Sequence, residues 1–206
     1  MRFLERAMTI TVADLKAAAL RLQNAMEAEA DTLNAADGAL GDGDLGITMR
    51  SGARAVVAAS DDFPDDIGMA LMACAKAFTK ASSSSYGTLM ATGLMAAAKE
   101  AKGRDALAAA DLSSLLDAAC TKMMERGKAT LGGKTVLDSL NAMARALEGA
   151  DDPARAAVKA TQDAQDALRD KPATIGRARI FAEKSVGMED PGMLAMTKIV
   201  EALTDR

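Results

Sequence analysis

The chain predicts an all-α protein, and three observations carry that prediction. Hydrophobic residues make up 50% of the 206 positions but aromatics only 2%, with 14 Met and no Trp. A core built from Ala, Leu, Met, Val and Ile has high helix propensity, poor strand propensity and small side chains that let helices pack closely. Apolar residues recur at helical spacing between short Gly, Pro, Asp or Ser breaks, and no β-branched run of period two interrupts them. The length suits one domain over residues 1–206, with 1–9 as an N-terminal extension.

Each element has its own signal. Thr11-Val-Ala-Asp14 reads as a capping box that opens a first helix running to about Asn34. A second runs from about Ile47 to Ser60. Pro64 at a first-turn position opens a third through Met69, Met72 and Phe78. After Ser82-Ser-Ser-Ser85 a fourth spans about Tyr86 to Lys102, and Asp111 or Ser113 caps a fifth through Leu115, Leu116, Cys120 and Met123. The loop from Gly127 to Gly133 leads to a sixth through Leu137, Leu140 and Leu147, and Pro153 begins a seventh. A short helical piece carries Arg177 to Lys184, and Asp190-Pro-Gly192 introduces the last, to about Leu203. Roughly eight helices on short loops make mostly antiparallel neighbours.

Composition also excludes functions. A net charge of −4 argues against nucleic acid, which requires a basic footprint. Cys74 and Cys120 form no Cys-x-x-Cys and no disulfide framework, which fits a reducing cytoplasm. The start MRFLERAMTITV lacks the apolar stretch of a signal peptide, and no apolar run reaches the ~18 residues of a spanning helix, so no membrane role is expected. The chain contains no histidine. Chemistry here runs on carboxylates, hydroxyls, Lys, Arg, backbone N–H groups and bound metal.

The segment Ala35 to Met49 holds Asp37, Asp42 and Asp44 among small residues. Asp and Gly are ordinary turn formers, yet carboxylates this close repel one another unless a hard divalent cation joins them. Gly38, Gly41, Gly43 and Gly46 permit the positive-φ turns that would aim such side chains at one point. An EF-hand fails on register: counting from Asp42, position five is Gly46, position six Ile47 and position twelve Ala53. Few carboxylates suit Mg²⁺ that takes further oxygens from phosphates. The start of the second helix, with N–H groups from Gly46 to Thr48, offers an anion site beside them.

Other segments leave two readings open. Gly132-Gly-Lys-Thr135 is not a Walker A loop, because position 128 is Lys128 and helical residues precede it; it is a plain helix start or a ligand loop. Ser82 to Ser85 either cap a helix or hold phosphate. Arg177 pairs with a phosphate or with a surface carboxylate. The methionines fill the core or face a purine.

Taken in order, these pieces resemble the nucleotide-binding L subunits of the dihydroxyacetone kinases over almost the whole chain. The pieces are Asp37…Gly41-Asp42-Gly43-Asp44-x-Gly46, Ala81-Ser82…Tyr86-Gly87-Thr88 and Arg126-Gly127-Lys128. They continue with Gly132-x-Lys134-Thr135-x-x-Asp138, Gly176-Arg177-Ala178 and Ser185-Val186-Gly187-x-x-Asp190-Pro191-Gly192. The resemblance implies an antiparallel eight-helix barrel whose loops at one end hold ATP or ADP with two Mg²⁺. It makes Asp37, Asp42 and Asp44 the metal ligands and sets Leu45, Gly46, Ile47, Thr48, Ala81 and Ser82 against the phosphates. Gly127, Val136, Arg177, Asp190, Pro191 and Gly192 would contact the nucleotide. It also implies a separate K-type subunit or domain that holds the ketose through its own histidine, and either ATP or a phosphotransferase-system protein as phosphoryl donor. A non-catalytic nucleotide-binding module, or the nucleotide subunit of a kinase for another acceptor, is the alternative. Leu45 and Met188 stand where the family commonly has histidine, and Ser83-Ser84-Ser85 stands where it has Gly-Pro-Leu.

Overall fold

The computed structural model describes residues 9–205, so most of the expected N-terminal extension lies outside the described residues. Among the described residues there are eight α-helices: α1 Val12–Leu40, α2 Leu45–Ala59, α3 Ile67–Ala81 and α4 Ser85–Glu100, then α5 Asp111–Gly127, α6 Val136–Ala146, α7 Pro153–Arg169 and α8 Pro191–Thr204. Each packs on its neighbours in sequence, and α8 returns against α1, closing an up-and-down ring. The axis is filled by buried side chains from every helix, including Met26, Leu33, Met49, Ile67, Met123, Leu137 and Met196. Small residues set the spacing: a Cβ at Gly46 would run into the Ala30 carbonyl, so α2 starts pressed onto α1. No helix among the described residues is long and apolar enough to cross a membrane.

Several boundaries differ from the sequence expectation, each for a local reason. Helix α1 continues six residues past Asn34 to Leu40, because packing against α2 overrides the turn preference of Asp37 and Gly38. Consequently, of the four glycines expected to supply positive φ, Gly43 alone does so (φ 79°); Gly38 and Gly46 are helical. Pro64 does not open α3. Asp66 caps it, accepting from Met69 N at 2.7 Å, and Pro64 keeps Phe63 extended. At α5 neither Asp111 nor Ser113 caps; the Asp111 carboxylate instead takes Ala108 N at 2.7 Å and the Arg104 guanidinium. The piece after Arg177 is a 3₁₀ segment, Ala178–Ser185, kinked at Phe181.

A two-stranded antiparallel ribbon departs from the all-helical expectation. β1 (Thr9–Thr11) pairs with β2 (Ala106–Ala108), in register Ile10 to Leu107. Three-residue strands are too short to show a period of two.

Alternation sends three of the seven connections between helices to one end of the ring and four to the other. One end holds the β ribbon. The other collects residues 41–44, 82–84, 128–135 and 170–190, so the N-termini of α2, α4, α6 and α8 all open there.

Candidate functional site

Those four helix starts surround a cleft of ≈ 500 Å³, within the size range of small-molecule sites. Each start carries partial positive charge, which makes this end attractive to anions. Three of the starts are closed by their own N-cap side chains. Ser84 accepts from Gly87 N at 3.0 Å, Asp190 from Met193 N at 2.9 Å, and Thr135 forms a capping box with Asp138. The reciprocal bond runs from Thr135 N to the Asp138 carboxylate at 2.8 Å.

The fourth start differs, and the difference creates the acidic centre. Asn34 Oδ1, from α1, accepts Gly46 N at 2.8 Å and Ile47 N at 3.2 Å. Asp37, one turn later on α1, accepts Asp44 N at 2.9 Å and Leu45 N at 3.3 Å. Because α1 does the capping, the side chain of Asp44 makes no cap bond to α2. Carboxylate oxygens of Asp37, Asp42 and Asp44 come within 4.8 Å of one another. Partial desolvation, with Asp42 and Asp37 beside it, holds the Asp44 carboxyl above its ordinary pKa, and Arg177 opposes that shift. The Arg177 guanidinium is ion-paired with Asp42.

The cleft draws on most of the residues singled out from the sequence. Asp37, Asp42, Asp44, Leu45, Gly127, Val136, Arg177, Asp190, Pro191 and Gly192 all line it. Five others lie off the cleft surface. Gly46 and Thr48 are buried, Ile47 is exposed, and Ala81 and Ser82 end α3 just behind the wall; Ser83, Ser84 and Ser85 line it instead. The N–H groups of Gly46 and Ile47, expected to face an anion, are spent on Asn34. Arg177 pairs with a carboxylate here. Of the two readings of the serine run, Ser84 caps.

Some contributors were missed. From the sequence Asn34 reads only as a helix end, and nothing in its context marks a cap given to another helix. Tyr86, the single Tyr, lines the cleft and donates its hydroxyl to Gly192 O at 3.1 Å, tying α4 to α8. Met123 adds an apolar patch, Arg126 a charge and Ile175 a further apolar contact. Asp190 is pushed up to about 6, chiefly by burial, with its bonds from Met193 N and Gly192 N pulling the other way. Burial raises Tyr86 as well.

Comparison with known proteins finds relatives over most of the chain. The DAK2 domain family matches residues 39–205. The chain is 32% identical over 182 residues to bovine (Bos taurus) triokinase/FMN cyclase, covering 84% of this chain but 31% of that protein. It is 28% identical over 190 residues to the ADP-binding subunit DhaL of the PEP-dependent dihydroxyacetone kinase of Escherichia coli, covering 85% of this chain and 87% of that one. The dihydroxyacetone kinase of C. freundii, solved in complex with AMP-PNP and Mg²⁺, superimposes with a TM-score of 0.74 at 20% identity, over 99% of this chain and 36% of that chain. This chain therefore spans about a third of the bovine relative's length. The DAK2 match runs over 39–205, most of the chain, and the chain belongs to the DAK2 domain family.

Proposed function

We propose that this chain binds Mg²⁺–ATP or Mg²⁺–ADP in the cleft and is the phosphoryl-transfer half of a dihydroxyacetone-kinase-type enzyme. The observation that carries this reading is the convergence of Asp37, Asp42 and Asp44 with four helix N-termini in one cleft. The donor set fits the metal: hard oxygen ligands, few in number, leave positions for phosphate and water. Asp37, Asp42 and Asp44 would hold two Mg²⁺. When bound, the metal neutralises charge on the transferring phosphoryl group.

The chain's own groups do the rest. Leu45 and Ser83 to Ser85 would lie along the phosphate side, with Gly46 to Thr48, Ala81 and Ser82 supporting them from off the cleft surface, and Arg177 exchanges Asp42 for phosphate oxygens. Asp190 to Gly192, with Val136 and Gly127, hold the nucleoside, and Met123 supplies an apolar face. Helix dipoles stabilise the negative charge that develops during transfer. Since the chain has no histidine, binding of the small ketose and deprotonation of its hydroxyl fall to a K-type partner subunit or domain. The phosphoryl donor is ATP in free exchange, or ADP held as a coenzyme and recharged by a phosphotransferase-system protein. ADP copurifying near one equivalent with slow exchange selects the second.

A second reading, a nucleotide-binding module without kinase activity, is favoured by one observation: the Gly46 and Ile47 amides are already engaged by Asn34. Mixing the chain with a K-type subunit, ATP, Mg²⁺ and dihydroxyacetone separates the two. Formation of the phosphorylated ketose supports the kinase. Tight Mg²⁺–ADP binding without turnover, for this and for four-carbon ketoses, supports the module.

A further inference from the structure

Lys134 is 1% exposed and adopts φ 61°, a left-handed conformation that non-glycine residues avoid. Burying an ammonium in that backbone state is costly twice over, so something must hold it. Its Nζ donates to the carbonyls of Arg169 at 2.8 Å, Lys171 at 3.0 Å and Ser185 at 2.7 Å, one acceptor for each ammonium proton. Arg169 O sits at the negative end of the α7 dipole, so backbone dipoles neutralise the charge; among the described residues no carboxylate is ion-paired with it. Burial lowers the ammonium's pKa, and Asp190 and Asp170 counter that.

These acceptors flank one segment. Lys171 begins it and Ser185 ends it, while Gly187 N returns to Arg169 O at 2.9 Å and Thr174 N reaches Gly133 O at 3.3 Å. Ser185 Oγ is buried between Ala173 N at 2.7 Å and the Ala182 carbonyl at 2.6 Å. Between the fastened ends lie Ile175 to Ala178, which form the cleft wall, and Arg177 reaches from there to Asp42.

We propose that Lys134 is a positioning residue for the nucleotide: it fastens both ends of the 170–187 segment and so fixes Arg177 over the aspartate cluster. It is not a phosphate ligand, because its donors are already spent away from the cleft. The proposal rests on the Mg²⁺–nucleotide reading above.

The test is a cycle of wild type, Lys134→Met, Arg177→Ala and the double variant, with Mg²⁺–ADP binding followed by the fluorescence of Tyr86, the single Tyr in a chain without Trp. Lys134→Met weakens ADP binding roughly tenfold or more by misplacing a binding group. In the Arg177→Ala background it adds nothing further. Hydrogen exchange, with no nucleotide present, quickens over 170–187 in Lys134→Met while α1 to α4 keep their protection. A general loss of stability would not produce that non-additivity. Should Lys134→Met fail to fold, Ser185→Ala loosens the same joint with the lysine in place, and a smaller loss, again absent without Arg177, is expected. Unchanged ADP affinity in the variants, or an equal loss in the Arg177→Ala background, overturns the proposal alone. A wild type that binds no Mg²⁺–ADP overturns the nucleotide reading and this proposal together.

Discussion

Two charged clusters stand at the same end of the barrel and are built on opposite principles. Around Lys134 a single charge is buried and its protons meet backbone carbonyls at 2.7–3.0 Å. Around Asp42 and Asp44, like charges are exposed, crowded to within 4.8 Å of Asp37, and partly offset by an exposed arginine. A satisfied buried charge fixes the segments that satisfy it, and its loss strands their polar groups. Repelling exposed charges do not fix the fold in this way, and their arrangement becomes favourable when a cation arrives. The contrast separates scaffold from ligand site.

The largest expected effect is on the scaffold side. Lys134→Met strands buried carbonyls and should lower folding stability by about 3 kcal/mol, read from urea unfolding at constant slope. Asp42→Ala should do the reverse: melting temperature and helicity hold, while Mg²⁺–ADP affinity falls by about a hundredfold or more, ~2.7 kcal/mol. If Asp42→Ala unfolds the protein, or Lys134→Met leaves stability untouched, the division collapses.

Gly46→Ala tests the structural basis of the acidic cluster. The added methyl meets the Ala30 carbonyl and pushes the α2 start from Asn34, at a cost of about 2 kcal/mol. Metal affinity should drop with it, although the residue offers no ligand atom. Equal Mn²⁺ binding in the variant would show that the aspartates do not depend on this close approach.

The smallest effect concerns Asp190, which lines the cleft and feels the charge of Lys134. Its folded pKa of about 6 is above the ordinary ~3.9, so from pH ~4 to 6 the folded state holds more protons than the unfolded state. Stability from this group is therefore full below pH ~4 and declines as pH rises to about 6. Asp190→Asn retains the cap and should flatten that decline by on the order of 1 kcal/mol, measured as a difference from wild type.

Much of this was legible in the sequence where side chains carry the signal. Thr11 with Asp14 marked the start of α1, Asp190-Pro191 that of α8, and Ala, Leu and Met periodicity gave the helices between. The aspartates announced themselves by repulsion. The extension of α1 to Leu40 was hidden because Asp37 and Gly38 are poor helix formers held helical by α2. Asn34 and Lys134 were illegible for another reason. Their partners are backbone groups of distant segments, which any residue supplies, so no spacing in the chain encodes them.

The central claim is that the acidic cluster binds nucleotide through a divalent cation. Calorimetric titration of ADP into the wild-type chain, with Mg²⁺ and then with EDTA, tests it most directly. Saturable binding near one equivalent in Mg²⁺, lost in EDTA and lost in Asp42→Ala, is the predicted result. ADP binding of equal strength in EDTA, or none in Mg²⁺, would contradict it.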